Sequence, residues 1–465
     1  MTLNRARPIA VLFCLSLLLL AAIFWYRFWV PESGEVVAPV KTNAAGQRVT
    51  VLRNPDEKIA AQGSREHDGM LSAQNPISNG ASVNKSAGSD YNWQIPSWLP
   101  PPPVPDDNPM SEVKVSLGRH LFYDHRLSLD NSVACASCHL QSLGFSDGLA
   151  LSVGVGGSVT ERNAMGLANV GYSPVLTWAN PHLTSLERQS LVPMFSEEPV
   201  EMGLAGQEQV LFDKLQKDPL YRTLFAEAFP ERGGRIELAS ITRALAAFQR
   251  TLISVGSPYD RFKYGGDKDA LGEAALRGEK LFFSEKAECY HCHQGFNFTD
   301  TLQTANSGFA EVAFYNTGVY NLDGNGAYPA GGMGLYTLTN KASDMGKFRT
   351  QSLRNVGVTA PYFHDGSAAT LDDVIDHYAA AGRSLQGHLA GDGSTNPYKD
   401  PLLVGFDTSG TVREDLKAFL NSLTDTDFLS NPRFSDPWDE NHPARGISNS
   451  ISGTSKQQTE ERSIP

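Results

Sequence analysis

Two cysteine motifs carry the clearest chemistry in this sequence. They are Cys135-Ala-Ser-Cys138-His139 and Cys289-Tyr-His-Cys292-His293, and they use all four cysteines beyond residue 30. Two thiols at this spacing can form thioethers with the vinyl groups of a porphyrin, and the histidine that follows is placed under the iron. The motifs therefore predict two covalently attached haem c groups, with His139 and His293 as proximal iron ligands.

Two other kinds of site use cysteine pairs, and both fit less well. Zinc-binding pairs usually lie about 15 to 20 residues apart, whereas these motifs lie in different halves of the chain. Redox disulfides would not need a histidine directly after each pair, and the surroundings lack the βαβ pattern of a thioredoxin unit.

The function of a haem depends on whether the sixth position of its iron is filled. No histidine lies between His139 and His182, and Met165 is the one soft donor in the loop 142–171. This predicts an open first iron that can bind hydrogen peroxide. His182 is the alternative ligand, but most lone histidines are surface or core residues.

For the second iron the sequence leaves several candidate ligands. Met333 and Met345 are the only methionines after the second motif, and a predicted helix over 371–380 carries His377 and Tyr378. Either residue of that helix could face the iron. On the helix alone, Tyr378 would more often be a core aromatic residue.

The elements that position the motifs are helices. Apolar residues recur at helical spacing over 112–122, 208–217 and especially 238–252. A helix over 273–283 runs into the second motif as one over 113–123 runs toward the first, and strand patterns are scarce. We therefore expect a mainly α protein with two c-type cytochrome domains related by duplication, whose long loops surround two covalent haems.

The N-terminus has the pattern of a membrane anchor. Arg5 and Arg7 precede an apolar run over 9–30, and about 20 apolar residues suffice to span a bilayer. The positive flank predicts a cytoplasmic N-terminus and an exported, periplasmic remainder. A cleaved signal peptide is the alternative.

Composition and pattern divide the chain into five predicted parts. They are a signal anchor (1–30), a disordered and proline-rich tether (31–107), a first haem c domain (108–265), a second haem c domain (266–438) and a disordered tail (439–465). The formal net charge of -12 gives no basic stripe, which argues against a nucleic-acid partner.

Beyond the two cysteine motifs, the sequence resembles the bacterial diheme cytochrome c peroxidase and MauG family from about residue 108 to 438. The stretches that carry the resemblance are Leu117-Gly-Arg-His-Leu-Phe-Tyr123, Arg162-Asn163, Pro199-Val-Glu-Met202, Leu353-Arg-Asn355 and Ala360-Pro-Tyr-Phe-His-Asp-Gly366. MbnH-type enzymes are the most similar subgroup, in Leu176-Thr-Trp-Ala-Asn180, Tyr259-Asp-Arg261 and Pro432-Arg-Phe-Ser-Asp-Pro-Trp438.

The resemblance implies that the first haem binds peroxide and that the second relays an electron. By position, Gln189 and Glu201 match the polar groups of the distal pocket, with Pro193 between them shaping it. A base and a polar group are what cleavage of the peroxide O–O bond requires. Trp178 matches a tryptophan that lies between the haems.

A calcium site is also implied by the resemblance. Asn163 and the backbone carbonyl groups of Thr359 and Pro361 match its ligands, and calcium prefers such oxygen donors.

Tyr378 stands at the position where the peroxidases have a methionine ligand. A tyrosine at this position resembles the arrangement in MauG. A phenolate favours oxidised iron, whereas a thioether favours reduced iron. We therefore expect an oxidoreductase that uses hydrogen peroxide to oxidise an exported partner protein at a side chain such as tryptophan. The alternatives are a peroxidase that detoxifies peroxide with a small cytochrome as donor, and a non-enzymatic electron-transfer cytochrome.

Overall fold

The computed structural model describes residues 91–310 and 312–446, together with the backbone of two short strands near the N-terminus. These strands, β1 (Val40–Thr42) and β2 (Arg48–Thr50), pair antiparallel within a unit that covers residues 1–78. The predicted anchor over 1–30 lies outside the described residues, as do 51–90 of the tether and 447–465 of the tail. Within the described part, no helix is both long and apolar enough to cross a bilayer.

The body is mostly helical, which confirms the predicted mainly α class. Its helices are α1 (Glu112–Phe122), α2 (Cys135–Cys138), α3 (Leu186–Gln189), α4 (Leu191–Phe195), α5 (Glu208–Gln216), α6 (Pro219–Ala228), α7 (Leu238–Arg250), α8 (Pro258–Lys263), α9 (Glu273–Phe282), α10 (Tyr336–Thr339), α11 (Leu371–Ala379) and α12 (Val412–Asn421). Its strands form two antiparallel pairs, β3 (Phe314–Asn316) with β4 (Lys347–Arg349) and β5 (Ser384–Leu385) with β6 (Gly391–Asp392).

Two helix pairs form the centre of the body, α1 with α7 and α9 with α12. Each pair meets at a glycine. A Cβ atom on Gly118 would lie 1.9 Å from the carbonyl oxygen of Ala244, and one on Gly278 would lie 1.9 Å from that of Asp415. Only a residue without a side chain allows the two backbones to approach this closely. The same crossing therefore occurs just before each cysteine motif.

A second contact also recurs in both halves. Asn169 and Asn355 each stand in a Leu-x-Asn-Val-Gly stretch and adopt the left-handed conformation, with φ of 60° in both. The side-chain oxygen of Asn169 accepts a hydrogen bond from the Ser254 amide, and that of Asn355 accepts one from the Asp425 amide, at 2.8 Å in each case. Each asparagine thus ties the loop after its motif to the chain that follows α7 or α12.

The folded body is longer than the predicted range 108–438 and extends beyond it at both ends. Trp93, in the predicted tether, is 2% exposed, and Tyr172 donates a hydrogen bond to the Pro100 carbonyl. In the predicted tail, Ala444 is fully buried, and the Trp438 indole before it donates to the His120 carbonyl at 3.0 Å. Prolines and polar residues dominate the composition of these segments and predict disorder, but a few aromatic and apolar side chains decide where the segments pack.

Candidate active site

One cavity of about 690 Å³ contains the motif residues of both halves in its lining. Its volume is within the range of about 300 to 1,000 Å³ that is usual for cofactor and ligand pockets. Helices α1, α3 and α7 contribute to one part of the wall, and α9, α11 and α12 contribute to another. The cavity is therefore continuous from one cysteine motif to the other.

The two motif histidines are oriented in the same way. The Nδ1–H of His139 donates to the Phe145 carbonyl oxygen at 2.7 Å, and that of His293 donates to the Phe298 carbonyl oxygen at 2.9 Å. Burial lowers the pKa of both rings, which favours neutral imidazole. With Nδ1 protonated, Nε2 carries the lone pair that can bind a metal.

The four motif thiols are not joined in disulfides. Burial raises the pKa of these thiols, to about 11 for Cys138 and about 12 for Cys135, Cys289 and Cys292. Within the described ranges, the ligand atoms of neither motif gather within 4.8 Å of one another. That spacing argues against the zinc alternative, which needs clustered thiolates. Free thiol pairs and a histidine Nε2 beside one large cavity fit a covalently attached haem at each motif.

Gln189 and Glu201 both line the cavity together with His139, and Pro193 lies in the same wall. Gln189 is the last residue of α3, whose first turn is capped by the Ser185 hydroxyl. Glu201 is fixed through its backbone, since its carbonyl oxygen accepts a 2.9 Å hydrogen bond from the Val155 amide.

The Glu201 carboxylate acts electrostatically on the thiols of the first motif. Burial raises the pKa of its carboxyl group, and that carboxylate contributes to the raised pKa of Cys135 and Cys138. A carboxyl group with a raised pKa holds a proton more readily, which suits a group that accepts and returns one. The structure therefore brings together the residues that the resemblance implied for the first site.

Trp178 also lines the cavity, and three contacts hold it. Its indole N–H donates to the Asn163 carbonyl oxygen at 2.9 Å, and its carbonyl oxygen accepts from the Arg349 amide at 2.9 Å. The ring of Phe348 is perpendicular to that of Trp178, with 6.3 Å between the centroids. The indole is thus fixed at the wall of the cavity that both motifs share.

Of the four candidate ligands for the second iron, Tyr378 alone lines the cavity. Its pKa is raised by burial and, to a lesser degree, by the thiols of Cys292 and Cys289. His377 points elsewhere and packs on Phe363 at a ring distance of 4.8 Å.

The remaining candidate ligands lie as follows. Met333 and Met345 belong to an apolar cluster around Tyr328, outside the cavity lining. His182, the alternative ligand for the first iron, is exposed and outside the lining, whereas Met165 lies within it.

The residues of the implied calcium site all line the cavity: Asn163, Thr359 and Pro361. The side-chain amide of Asn163 donates to the Leu149 carbonyl oxygen at 2.8 Å, so its Oδ1 atom points away from that bond. Oxygen donors of this kind suit calcium.

Arg162, Arg349, Arg354 and His364 also line the cavity, and no role was predicted for them. No local pattern singles them out, because arginines and histidines are usually surface residues.

The model of the di-haem cytochrome c peroxidase family matches residues 112–269. Cytochrome-c peroxidase IdrP1 from Pseudomonas sp. (strain SCT) is 36% identical over 340 residues, which cover 70% of this chain and 84% of that protein. The chain belongs to the di-haem cytochrome c peroxidase family. The predicted family is thus confirmed, and the protein is a peroxidase-type oxidoreductase that uses hydrogen peroxide.

This di-haem peroxidase is also similar to MauG and to a MauG-like protein. The methylamine utilization protein MauG from Methylorubrum extorquens is 34% identical over 321 residues, which cover 69% of this chain and 81% of MauG. The crystal structure of a MauG-like protein associated with microbial copper homeostasis superposes with a TM-score of 0.73 at 48% identity, covering 75% of this chain and all of that one. The family implies two c-type haems, while the MbnH-type subgroup stays a prediction.

Proposed function

We propose that this di-haem peroxidase uses hydrogen peroxide to oxidise a side chain, such as tryptophan, of an exported partner protein. Tyr378 carries this proposal, because it is the one candidate ligand for the second iron that lines the cavity. A tyrosine ligand stabilises oxidised iron, whereas a methionine there would favour reduction by a cytochrome donor. Oxidising equivalents can then be kept for a protein substrate.

The haem groups have a defined place in this proposal. Cys135 and Cys138 would hold the first haem with His139 as iron ligand. Cys289 and Cys292 would hold the second, with His293 and Tyr378 as ligands. Covalently bound haem supplies the iron that exchanges electrons with peroxide and with the substrate.

Glu201 and Gln189 act on the peroxide. The Glu201 carboxylate would take a proton from one peroxide oxygen and return it to the other, so that this oxygen can leave as water. The two haem groups would supply the two electrons that are needed to reduce the remaining oxygen. The Gln189 amide steadies the charge that develops on the oxygens. Both residues line the cavity wall near the first motif, which supports these roles.

The proposal also assigns roles to residues outside the two haem sites. Trp178 would relay electrons between the haems, and calcium would bind the Asn163 side chain with the carbonyl groups of Thr359 and Pro361. The repeated crossings at Gly118 and Gly278 support two haem domains related by duplication. The apolar run over 9–30 would anchor the protein to the inner membrane on its periplasmic side.

The decisive experiment is a hydrogen peroxide titration of the purified diferric protein, followed by electron paramagnetic resonance and Mössbauer spectroscopy. We expect both ferric signals to disappear without prior reduction, and this response to be lost in Tyr378→Met. Tyr378→Phe separates the loss of the oxygen ligand from the gain of a sulfur ligand. If the protein instead needs prior one-electron reduction and then turns over a reduced cytochrome, it is a detoxifying peroxidase.

The partner can be tested in the same system. Because the MauG-like relative is associated with copper homeostasis, we propose a small exported copper-binding protein as substrate. Incubation with peroxide and the candidate should give oxidised tryptophan in its peptides by mass spectrometry. Unmodified peptides from every such candidate, with both ferric signals lost, would overturn the choice of partner but not the peroxide chemistry.

A further inference from the structure

The carbonyl group that orients His293 belongs to a strained residue. Phe298 accepts the Nδ1–H hydrogen bond of His293 at 2.9 Å, and its φ of 50° lies in the left-handed region. That region is unfavourable for a bulky side chain, and a residue stays there only where neighbouring contacts impose it. The orientation of His293 therefore depends on the contacts that hold the chain on either side of Phe298.

Three of these contacts come from the stretch 350–354, in the same half of the body. Each is a hydrogen bond between a side chain and a backbone carbonyl oxygen, at 2.7 to 2.9 Å: Arg354 Nε to Phe296, the Ser352 hydroxyl to Asn297, and the Thr299 hydroxyl to Thr350. They fix the loop around Phe298 to its own half.

The fourth contact comes from the half that carries the first motif. Nδ2 of Asn169 donates to Oδ1 of Asn297 at 2.9 Å, and both side chains are 1% exposed. Ser254 fixes Asn169 in turn, because its amide donates to Oδ1 at 2.8 Å and its carbonyl oxygen accepts from Nδ2 at 3.0 Å. Water does not replace a lost hydrogen bond at so buried a place. Asn169 thus holds the residue next to Phe298.

The first motif is built in the same way but lacks this contact. The carbonyl oxygen of Phe145 accepts from His139, and Phe145 also has a positive φ, of 65°. The residue before it is Gly144, which has no side chain that Asn355 could bind. Nδ2 of Asn355 instead donates to the Ser254 hydroxyl at 3.1 Å. The asparagine contact to the loop that orients a motif histidine is therefore made at the second motif alone.

Asn169 also directly follows a segment of the first site. Residues 162–168 all line the cavity, and the Leu167 amide donates to the Gly144 carbonyl oxygen at 3.2 Å. One short segment therefore contacts the loop that orients His139 and, through Asn169, the loop that orients His293.

We propose that Asn169, in the half with the first motif, is a positioning residue for His293, the iron ligand of the second haem. By fixing Asn297, it keeps the Phe298 carbonyl group in place to accept the Nδ1–H hydrogen bond of His293. Such a bond makes the imidazole a stronger donor through Nε2 and so stabilises oxidised iron.

The inference rests on the proposed haem at the second motif, with His293 as its ligand. It does not rest on the partner protein or on side-chain oxidation, so it would stand if the protein proved to be a detoxifying peroxidase.

The test compares Asn169→Ala, Asn297→Ala and the double variant in the haem-containing protein, by spectroelectrochemical titration and electron paramagnetic resonance. In each single variant, the potential of one haem should become more positive and its ferric g values should change, because a weaker Nδ1–H bond makes a poorer ligand. Tyr378→Phe should affect the same haem. The double variant should shift no further than the larger single shift, because both substitutions break one hydrogen bond.

Asn321→Ala is the matched control. Asn321 is 2% exposed, and its side chain, like that of Asn169, accepts from one backbone amide and donates to two oxygen atoms. It does not line the cavity. This variant should lose stability while both potentials stay as in the unchanged protein.

Unchanged potentials and g values in the Asn169 and Asn297 variants would overturn the inference, as would additive shifts in the double variant. A shift of one haem in these variants without any effect of Tyr378→Phe would support the inference and sink the Tyr378 ligand of the proposed function. Asn297→Ala leaves the contacts of Asn169 with Ser254 intact, so it tests the same hydrogen bond if Asn169→Ala fails to fold.

Discussion

The backbone amide of Arg349 donates a 2.9 Å hydrogen bond to the carbonyl oxygen of Trp178, and its side chain binds the carbonyl oxygen of the preceding Thr177. Thr177 adopts the left-handed conformation, with φ of 74°, which is unfavourable for a β-branched residue. Arg349 of β4 thus holds two consecutive carbonyl groups of a strained stretch of backbone, those of Thr177 and Trp178. Conformations of this kind persist where the surroundings impose them, often at functional sites.

Trp178→Phe should slow oxidation of the protein substrate without preventing the reaction with peroxide. Phenylalanine can still meet Phe348 but loses both the oxidisable indole and its hydrogen bond to Asn163, a loss worth about 1 kcal/mol. Stopped-flow spectroscopy of the two steps checks this. Trp438→Phe is the matched control, because it loses a similar indole bond outside the cavity. Equal oxidation rates in both variants would refute a relay role.

Glu201→Gln should lower the rate of peroxide consumption by about 10² to 10⁴-fold, the usual contribution of a general acid or base. Burial raises the pKa of Glu201, so its carboxyl group stays protonated to a higher pH than usual. Only the ionised form accepts a proton, and activity should therefore increase as pH rises through that pKa. The variant should lack this dependence, while Glu197→Gln, on the exposed part of the same loop, should keep it.

Gly118→Ala and Gly278→Ala should each destabilise the protein by about 1 to 3 kcal/mol or more, as overpacking does. Each new methyl group would collide with a backbone carbonyl of the partner helix. Gly272→Ala is the control, since a Cβ atom there meets nothing within 4 Å. Urea unfolding followed by haem absorbance measures the differences. Similar midpoints for all three variants would contradict the close crossings.

Replacing both cysteines of one motif by alanine should reduce the covalently bound haem from two groups per chain to one. We expect this for Cys135 with Cys138 and, independently, for Cys289 with Cys292, because thioethers form only at these thiols. Haem absorbance in alkaline pyridine and haem staining on denaturing gels give the count. Cys14→Ala should retain two haems, and a count of two in either double variant would exclude that motif as an attachment site.

The sequence alone determined the parts of this protein whose chemistry is local. Each haem motif lies within five consecutive residues, so its chemistry can be recognised without knowing the fold. The mainly α class followed from the helical spacing of apolar residues. The family followed from several such short stretches.

The tertiary structure decided which side chains face the cavity. His377 and Tyr378 are neighbours on α11, where consecutive residues point about 100° apart, and packing alone places Tyr378 in the lining. Whether a side chain is buried, and which groups it contacts, depends on the whole fold. A local sequence pattern therefore does not predict either.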